Sequence, residues 1–492
     1  MMFAQMRKII RELKQRSIFQ LVKHSVIYGI GNIIQRFLTI LLLPIYTRYL
    51  TPTDYGIVAM LGIFSMIVGT ITMCGLTNGI GRYFYYTKQE RTSLSDVVWS
   101  PVLFVGGFSV FVLTVLSLFS GFLSNILFDS ENYSYLVKLT LVGVFVSNLS
   151  GLGRSVLVFE EKSKTVNYIN ICGVVVGVVC GLLLVVWLGR GVTGAVEAGL
   201  VGSTIMSVPI ILLSVARFEP AFSRSMLTKQ LRFSLPLVGA AFAFWFIDSS
   251  DRFLLKMFLP LSEVGLYNIG YNIGMIMMIF VGGFTLAWPP YYHKNNQGDQ
   301  GQTVCNGVLK LYLVVSCVFV VLISLSGPLV VKVLTTEGFY GAYTVVPWVA
   351  MAYMLKGPYL IFLMGVLVRD RSSWQLYLEI FAAMANIGLN VLLIPVIGRE
   401  AAAITTLVSY SVMVLGAYFM VMRVNPIPGI SVRYIGAILI LTVVFSVVPL
   451  WAGDRGFYLA LSSTAFAFFA GVFLLVGYRE FAAQTKRKAR GF

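Results

Sequence analysis

Four charged side chains stand in an otherwise apolar stretch, WFIDSSDRFLLKMF at residues 245–258, and their types could bind an anion or carry a proton. A charge at the centre of a lipid bilayer costs about 2.5–3.5 kcal/mol even on insertion-based scales. On a helix, their spacings of three and four positions put them along one stripe, which must face protein or water rather than lipid. The four residues are Asp248, Asp251, Arg252 and Lys256.

The spacing also predicts how these charges pair. Asp248 and Arg252 lie four positions apart, so we expect an ion pair along the helix. Lys256, near the end of the stretch, can extend its ammonium group to the membrane interface. Asp251 is then left to find a partner on another helix. Because buried ion pairs stabilise proteins poorly, the cluster favours a binding role over a purely structural one.

Arg36, in the first apolar segment, is the expected partner of Asp251 because no acidic residue stands on its own segment. We expect the first and seventh helices to face each other across a cavity, where Asp251 neutralises Arg36 until an anionic substrate replaces it. The candidate substrate-binding residues are Arg36, Arg252, Asn32 and Gln35. Asp248 and Asp251 are the candidates for balancing the charge or carrying a coupling proton.

Four other basic residues are candidates for the edge of such a cavity. They are Arg82, Arg154, Lys256 and Lys356. Arg82 and Arg154 have an alternative interpretation, because basic residues at cytoplasmic helix ends commonly set the topology or contact lipid head groups. Neither the five cysteines nor the two histidines show metal-type spacing, so the sequence predicts no metal site and no cofactor.

The elements that position these residues are membrane-spanning helices. Hydrophobic residues make up 58% of the 492 residues and charged residues 12%, against about 25% charged in an ordinary soluble chain. Apolar runs near the roughly 20 residues that a spanning helix needs predict about 14 helices. The predicted spans are 26–46, 55–77, 97–119, 134–157, 166–187, 192–214, 234–257, 265–287, 304–325, 344–366, 375–395, 401–421, 432–450 and 457–477.

The net charge of +17 follows the positive-inside rule, because most of the 37 Lys and Arg residues lie in segments that this topology places in the cytoplasm. Both termini are therefore predicted to be cytoplasmic, and the basic excess does not indicate a nucleic-acid partner. The longest predicted loop, WPPYYHKNNQGDQGQ from Trp288, leaves no room for an extramembrane catalytic domain. The sequence has no Walker-type glycine loop and no HExxH or GxSxG motif, so we predict a protein that is not an enzyme.

Two matching links indicate an internal repeat. YLTPTDYGIV at 49–58 joins the first two predicted spans, and FLPLSEVGLY at 258–267 joins the seventh and eighth. The offset of six helices is even, so we expect two lobes of the same orientation, related by a pseudo-two-fold axis along the membrane normal. The predicted all-α integral membrane protein has an amphipathic cytoplasmic N-terminus (1–24), a six-helix lobe (25–216), a cytoplasmic linker (217–232), a second six-helix lobe (233–422), two further helices (423–478) and a basic cytoplasmic tail (479–492).

Two stretches carry a resemblance to a known family. They are GNIIQRFLTILLLPIYTRYLTPTDYGIVAM with GLTNGIGRYFYY in the first half, and SSDRFLLKMFLPLSEVGLYNIGYNIGM in the second. They resemble the polysaccharide transporter, or O-antigen (Wzx-type) flippase, branch of the multidrug/oligosaccharidyl-lipid/polysaccharide flippase superfamily. The resemblance implies two six-helix lobes with two extra C-terminal helices. It also implies transfer of undecaprenyl-diphosphate-linked oligosaccharide from the cytoplasmic to the periplasmic leaflet of the bacterial inner membrane.

By this resemblance, Arg36 and Arg252 lie on helices that line a cationic cavity and would bind diphosphate or an anionic sugar, which suits the planar fork of arginine. Asp248 and Asp251 temper the positive charge, which puts a lipid II substrate in doubt. The implied partners are the lipid-linked oligosaccharide, membrane lipids, a polysaccharide polymerase and other assembly proteins.

We therefore expect a flippase that works by alternating access, with no covalent chemistry, and two alternatives stay open. A cation-coupled multidrug exporter of the same superfamily predicts an acidic cavity and organic-cation substrates. A polyprenyl-linked glycan polymerase or ligase predicts a large periplasmic loop, which the predicted topology lacks.

Overall fold

A computed structural model describes residues 42–86, 94–295, 299–367, 372–427 and 432–451. These described residues form helices and short connections, with no strand among them. The apolar composition explains this, because a helix satisfies its backbone hydrogen bonds within one segment, as lipid requires. The predicted all-α fold is confirmed.

The helices are named in chain order, after a helical stretch at residues 42–49. The first seven are α1 (Pro52–Met73), α2 (Leu76–Tyr86), α3 (Leu94–Leu118), α4 (Ser120–Phe128), α5 (Ser134–Phe159), α6 (Ser163–Gly181) and α7 (Gly191–Val215). The next nine are α8 (Arg224–Phe258), α9 (Leu261–Gly274), α10 (Met277–Asn295), α11 (Asp299–Leu334), α12 (Val346–Met354), α13 (Lys356–Leu367), α14 (Ser372–Ile397), α15 (Arg399–Val424) and α16 (Val432–Trp451). Short 3₁₀ segments cover Glu131–Tyr133 and Glu337–Val345, and a π-helical turn, Leu182–Trp187, extends α6.

The chain is a multi-pass membrane protein. Among the described residues, nine helical segments are long and apolar enough to cross a bilayer, and the pair α9 and α10, bent by 48° at its break, is a further one. Every predicted span from 55–77 to 432–450 falls on helical segments. The predicted spans 26–46 and 457–477 lie largely or wholly outside the described residues, so the total of about 14 stays a prediction.

Some helices extend beyond the apolar runs from which the spans are predicted. The segment from Trp288, predicted to be the longest loop, is largely helical, because α10 continues to Asn295 and α11 begins at Asp299. Helix α8 likewise begins at Arg224, before the predicted span at 234–257. Loss of hydropathy marks where a chain leaves the lipid, and a helix can continue into water beyond that point.

Backbone contacts divide the chain into two compact units. Among the described residues, the first unit comprises 42–50 and 60–241, and the second comprises 51–59 and 242–451. Helices α1 and α8 each contribute residues to both units. In the first unit α5 packs along α7 and α3, and in the second α15 packs against α12, α13 and α14. The lobe boundaries given above stay a prediction for the whole chain.

The two copies of the repeated link lie against each other within the second unit. A Cβ atom on Gly56 would collide with the backbone carbonyl of Leu261, and one on Gly265 would collide with the carbonyl of Pro52. The contacts are reciprocal, because Gly56 and Gly265 hold the same position in their copies, as do Pro52 and Leu261. A two-fold relation between parallel repeats produces a self-complementary contact of this kind. Only glycine fits where the two backbones approach so closely.

Candidate functional site

Asp251 and Arg252, on the part of α8 that belongs to the second unit, form a buried ion pair. Nη1 of Arg252 lies 3.0 Å from Oδ1 of Asp251, which also accepts the backbone N–H of Arg252 at 3.0 Å. Asp251 is fully buried and Arg252 is 8% exposed. Asp251 thus has a basic partner on its own helix, which the sequence does not predict, while the predicted pair with Arg36 lies outside the described residues and stays a prediction. The arginine side chain is long enough to fold back onto the preceding residue.

Helix α9 covers this ion pair with two tyrosines that share one helix face, Tyr267 and Tyr271. The Tyr267 hydroxyl donates a hydrogen bond to Oδ2 of Asp251, so both carboxylate oxygens have a donor. The guanidinium carbon of Arg252 lies 3.7 Å from the Tyr271 ring centroid, which is a close cation–π contact. Arg252 is thus held between a carboxylate and an aromatic face.

The aromatic contacts continue from α9 to a second basic residue. The hydroxyl groups of Tyr271 and Tyr353, on α12, are hydrogen-bonded. Lys356 begins α13, and its Nζ lies 4.5 Å from the Tyr353 ring centroid and 5.1 Å from that of Tyr410 on α15. The three tyrosine side chains are buried and Lys356 is half-buried.

We call these residues the Arg252 cluster: Asp251, Arg252, Tyr267, Tyr271, Tyr353, Lys356 and Tyr410. The cluster contains two basic side chains and one acidic side chain, a formal excess of one positive charge. Aromatic faces stabilise a cation without neutralising it, and charges interact strongly at low dielectric. Of the two basic side chains, the half-buried Lys356 is less enclosed than Arg252, which is 8% exposed.

The other predicted residues of this site are described only in part. Arg36, Asn32 and Gln35 lie outside the described residues. Asp248 lies on α8, but its side chain is also outside the description. Lys256 is half-buried in the last turn of α8, one turn beyond Arg252.

Arg82 and Arg154 belong to the first unit and make contacts there. The guanidinium carbon of the exposed Arg82, on α2, lies 4.3 Å from the ring centroid of Phe233. Arg154, on α5, donates to Oδ1 of Asn170 at 3.2 Å and lies 3.8 Å from the sulfur of Met206. Arg154 thereby links α5 to α6 and α7, which is a structural contact within that unit.

The tyrosines of the Arg252 cluster are not among the site residues predicted from the sequence. One signal was available, since Tyr267 and Tyr271 stand four positions apart in LSEVGLYNIGYNIG and must share a helix face. Nothing in the local sequence places Tyr353 or Tyr410 beside them. Within the described ranges, no group of three His, Cys, Asp or Glu side chains is arranged to hold a metal ion.

A family described as "Polysaccharide biosynthesis protein" matches residues 45–344, more than half of the 492 residues. A protein of Haemophilus influenzae described as an uncharacterized membrane protein is 24% identical over 57% of this chain and 67% of its own length. A Klebsiella pneumoniae protein, described as an uncharacterized membrane protein in the cps region, is 24% identical over 51% of this chain and 50% of its own length. The matches thus span about half to two thirds of these relatives.

Solved structures of transporters share the fold. A structure of the lipid II flippase MurJ, in an inward closed conformation, matches with a TM-score of 0.66 at 13% identity, over 94% of this chain and 100% of the other. An inward-facing multidrug resistance MATE family transporter of the MOP superfamily matches with a TM-score of 0.66 at 16% identity, over 80% of this chain and 96% of the other. At these identities the likeness establishes the fold alone. Through the family match, the chain belongs to the polysaccharide biosynthesis protein family, and it shares its fold with the MurJ and MATE structures.

Proposed function

We propose that the protein moves undecaprenyl-diphosphate-linked oligosaccharide from the cytoplasmic to the periplasmic leaflet of a bacterial inner membrane. The observation that supports this proposal is Lys356, a half-buried cation beside two aromatic rings, in a chain that belongs to a polysaccharide biosynthesis family. The lipid tail would stay in the bilayer while the diphosphate and the glycan cross by alternating access. Both chain termini would lie in the cytoplasm, as the basic residues of the predicted loops favour.

Lys356 is the proposed contact for the diphosphate in the second unit. Lys356 is half-buried, and its Nζ lies within 4.5 Å and 5.1 Å of the ring centroids of Tyr353 and Tyr410. Arg252 would add to the positive potential from its fixed position beside Asp251. Arg36 stays a predicted second anion contact. No step in this transfer breaks a covalent bond, so the proposed role is transport rather than catalysis.

The proposed role of Asp251 is to hold Arg252 in place, rather than to act as a counter-ion that the substrate displaces. Its two oxygens accept from Arg252 and Tyr267, so the carboxylate fixes the guanidinium against the Tyr271 ring. A buried charge is costly unless it is paired and hydrogen-bonded. Asp251 therefore lowers the free-energy cost of burying the Arg252 guanidinium in the second unit.

The experiment compares cells that lack the chain with cells that express the wild type, Lys356→Gln or Lys356→Arg at matched levels. The leaflet distribution of lipid-linked oligosaccharide is measured in inner-membrane vesicles with a glycan-binding lectin. We expect the glycan to accumulate in the cytoplasmic leaflet in the null and with Lys356→Gln, and Lys356→Arg to restore the wild-type distribution. If cells that lack the chain keep the wild-type glycan distribution but lose efflux of a cationic dye, the flippase proposal is wrong and the multidrug exporter is favoured.

A further inference from the structure

A second site lies in the first unit, at the break between the end of α1 and the start of α2. Cys74 and Gly75 adopt positive φ angles of 49° and 66° at this break. An open pocket of about 360 Å³ lies beside it, between α1, α2, α5 and α8.

Asn148, in the middle of α5, directs an unused acceptor into this pocket. Thr72 donates its only hydroxyl proton to the carbonyl of Val68 at 2.7 Å, so its oxygen can only accept from Asn148. The contact of 2.6 Å therefore requires the amide nitrogen Nδ2 of Asn148, which also lies 3.4 Å from Oγ of Ser109. Asn148 is only 4% exposed. Among the described residues its Oδ1 accepts no hydrogen bond, and Asn148 lines the pocket.

The other residues that line the pocket are either polar and uncharged or apolar. Thr77 and Asn78 open α2 at the break, and their side chains have no hydrogen-bond partner among the described residues. Met66, Met73 and Leu237 supply apolar surface. The pocket thus pairs hydroxyl and amide groups with apolar faces, and every lining residue is uncharged.

We propose that this pocket is a carbohydrate subsite that binds a neutral sugar residue of the substrate, with a sugar hydroxyl or acetamido N–H donating to Oδ1 of Asn148. This proposal rests on the proposed function, because it assigns the glycan part of the same substrate to the first unit. A sugar hydroxyl both donates and accepts, which suits Oδ1 together with the Thr77 hydroxyl. The apolar C–H face of a pyranose suits the methionine and leucine side chains.

The chemistry distinguishes this ligand from the other groups that a membrane transporter meets. Phosphate oxygens are acceptors and would be repelled by Oδ1. An acyl chain would leave Oδ1 unsatisfied in a dry site, which costs free energy. The pocket volume of about 360 Å³ is large enough to hold one hexose residue.

Glycine variants of α1 give a sharp test. A Cβ atom on Gly69 would lie 3.5 Å from Oδ1 of Asn148, an ordinary contact that covers the oxygen without a clash. A Cβ atom on Gly62, on the same helix, would meet nothing within 4 Å, which makes Gly62→Ala the matched control. Thr77→Val provides a second variant that removes one hydroxyl with little change of shape.

Binding is measured on the purified full chain by saturation-transfer NMR with the methyl glycosides of glucose, galactose and N-acetylglucosamine, and with inorganic diphosphate. We expect at least one glycoside to bind the wild type and Gly62→Ala equally. Gly69→Ala should weaken its binding tenfold or more, and Thr77→Val several-fold, with diphosphate binding unchanged. Equal glycoside binding by Gly69→Ala and the wild type, or no binding of any glycoside, would overturn the carbohydrate subsite.

The same samples separate this inference from the proposed function. If Lys356→Gln leaves lipid-linked glycan distribution unchanged in vesicles but Gly69→Ala loses glycoside binding, the subsite stands and the proposed anion contact fails. If Lys356→Gln abolishes flipping while all variants bind glycosides alike, the proposed function stands and the subsite fails.

Discussion

Replacing Asp251 by asparagine should destabilise the protein strongly, because it removes the carboxylate that pairs with the buried guanidinium of Arg252. Arg252 is 8% exposed, and the Nη1–Oδ1 distance of 3.0 Å makes the carboxylate a direct ionic partner. Removing one partner of a buried ion pair typically costs about 3–5 kcal/mol. At about 1.4 kcal/mol for each factor of ten, the unfolding equilibrium would shift by roughly two to four powers of ten.

The assay is unfolding of the purified protein in detergent, at equilibrium or as a rate. The signal is the reaction of buried cysteines, such as Cys317, with a thiol reagent as they become accessible. The double variant Asp251→Asn with Arg252→Gln removes the charge as well as its partner, so it should regain at least half of the lost stability. Glu263→Gln is the control, because its pair with Arg399 is partly exposed and such pairs contribute about 1 kcal/mol or less.

An Asp251→Asn variant as stable as the wild type would refute this reasoning, since Arg252 would then have another sufficient partner or access to water. Transport by the double variant adds a second result. If it folds and flips glycan normally, Arg252 has a structural role. If it folds but does not flip glycan, the guanidinium contributes to the anion potential, as proposed above.

Three further predictions follow from single contacts. Gly265→Ala should abolish correct folding, measured by yield of monodisperse protein, because its Cβ atom would collide with the Pro52 carbonyl, whereas Gly62→Ala should express normally. Tyr267→Phe should cost about 1.5–3 kcal/mol in the same unfolding assay, since it removes a hydrogen bond to a charged carboxylate. Lys356→Gln should lower the flipping rate at least tenfold at a normal unfolding midpoint, and a rate equal to that of wild type would contradict its role as the anion contact.

Hydropathy was sufficient to predict where the helices lie, because each spanning segment satisfies its backbone internally and needs only an apolar run of the right length. It was insufficient for the ends of α8 and α10, which continue as helix beyond the apolar runs, to include Arg224 and Asn295. The repeat was visible as matching links, and the reciprocal approach of Gly56 and Gly265 shows why glycine stands in both copies.

Only the part of the candidate site that lies on α8 could be predicted from the sequence. The spacing of the charges marked α8, and helix periodicity predicts Asp248 as a partner of Arg252, a pair that lies outside the described side chains. Periodicity does not predict the observed pair of adjacent residues, Asp251 and Arg252, or the tyrosines of α9 that contact it. Lys356 and Tyr410 join the site through the packing of α13 and α15 within the second unit, and no local pattern encodes that packing.

Transfer of lipid-linked glycan by the purified chain in liposomes tests the central claim most directly. Undecaprenyl-diphosphate-linked oligosaccharide is incorporated in both leaflets, and the fraction that an added lectin can reach is followed over time, with and without an imposed membrane potential. We predict that the wild type and Lys356→Arg make the inner-leaflet glycan accessible, while Lys356→Gln and protein-free liposomes expose only the outer-leaflet fraction. Glycan that stays inaccessible with the wild type, in liposomes where the same protein transports a cationic dye, would contradict the account.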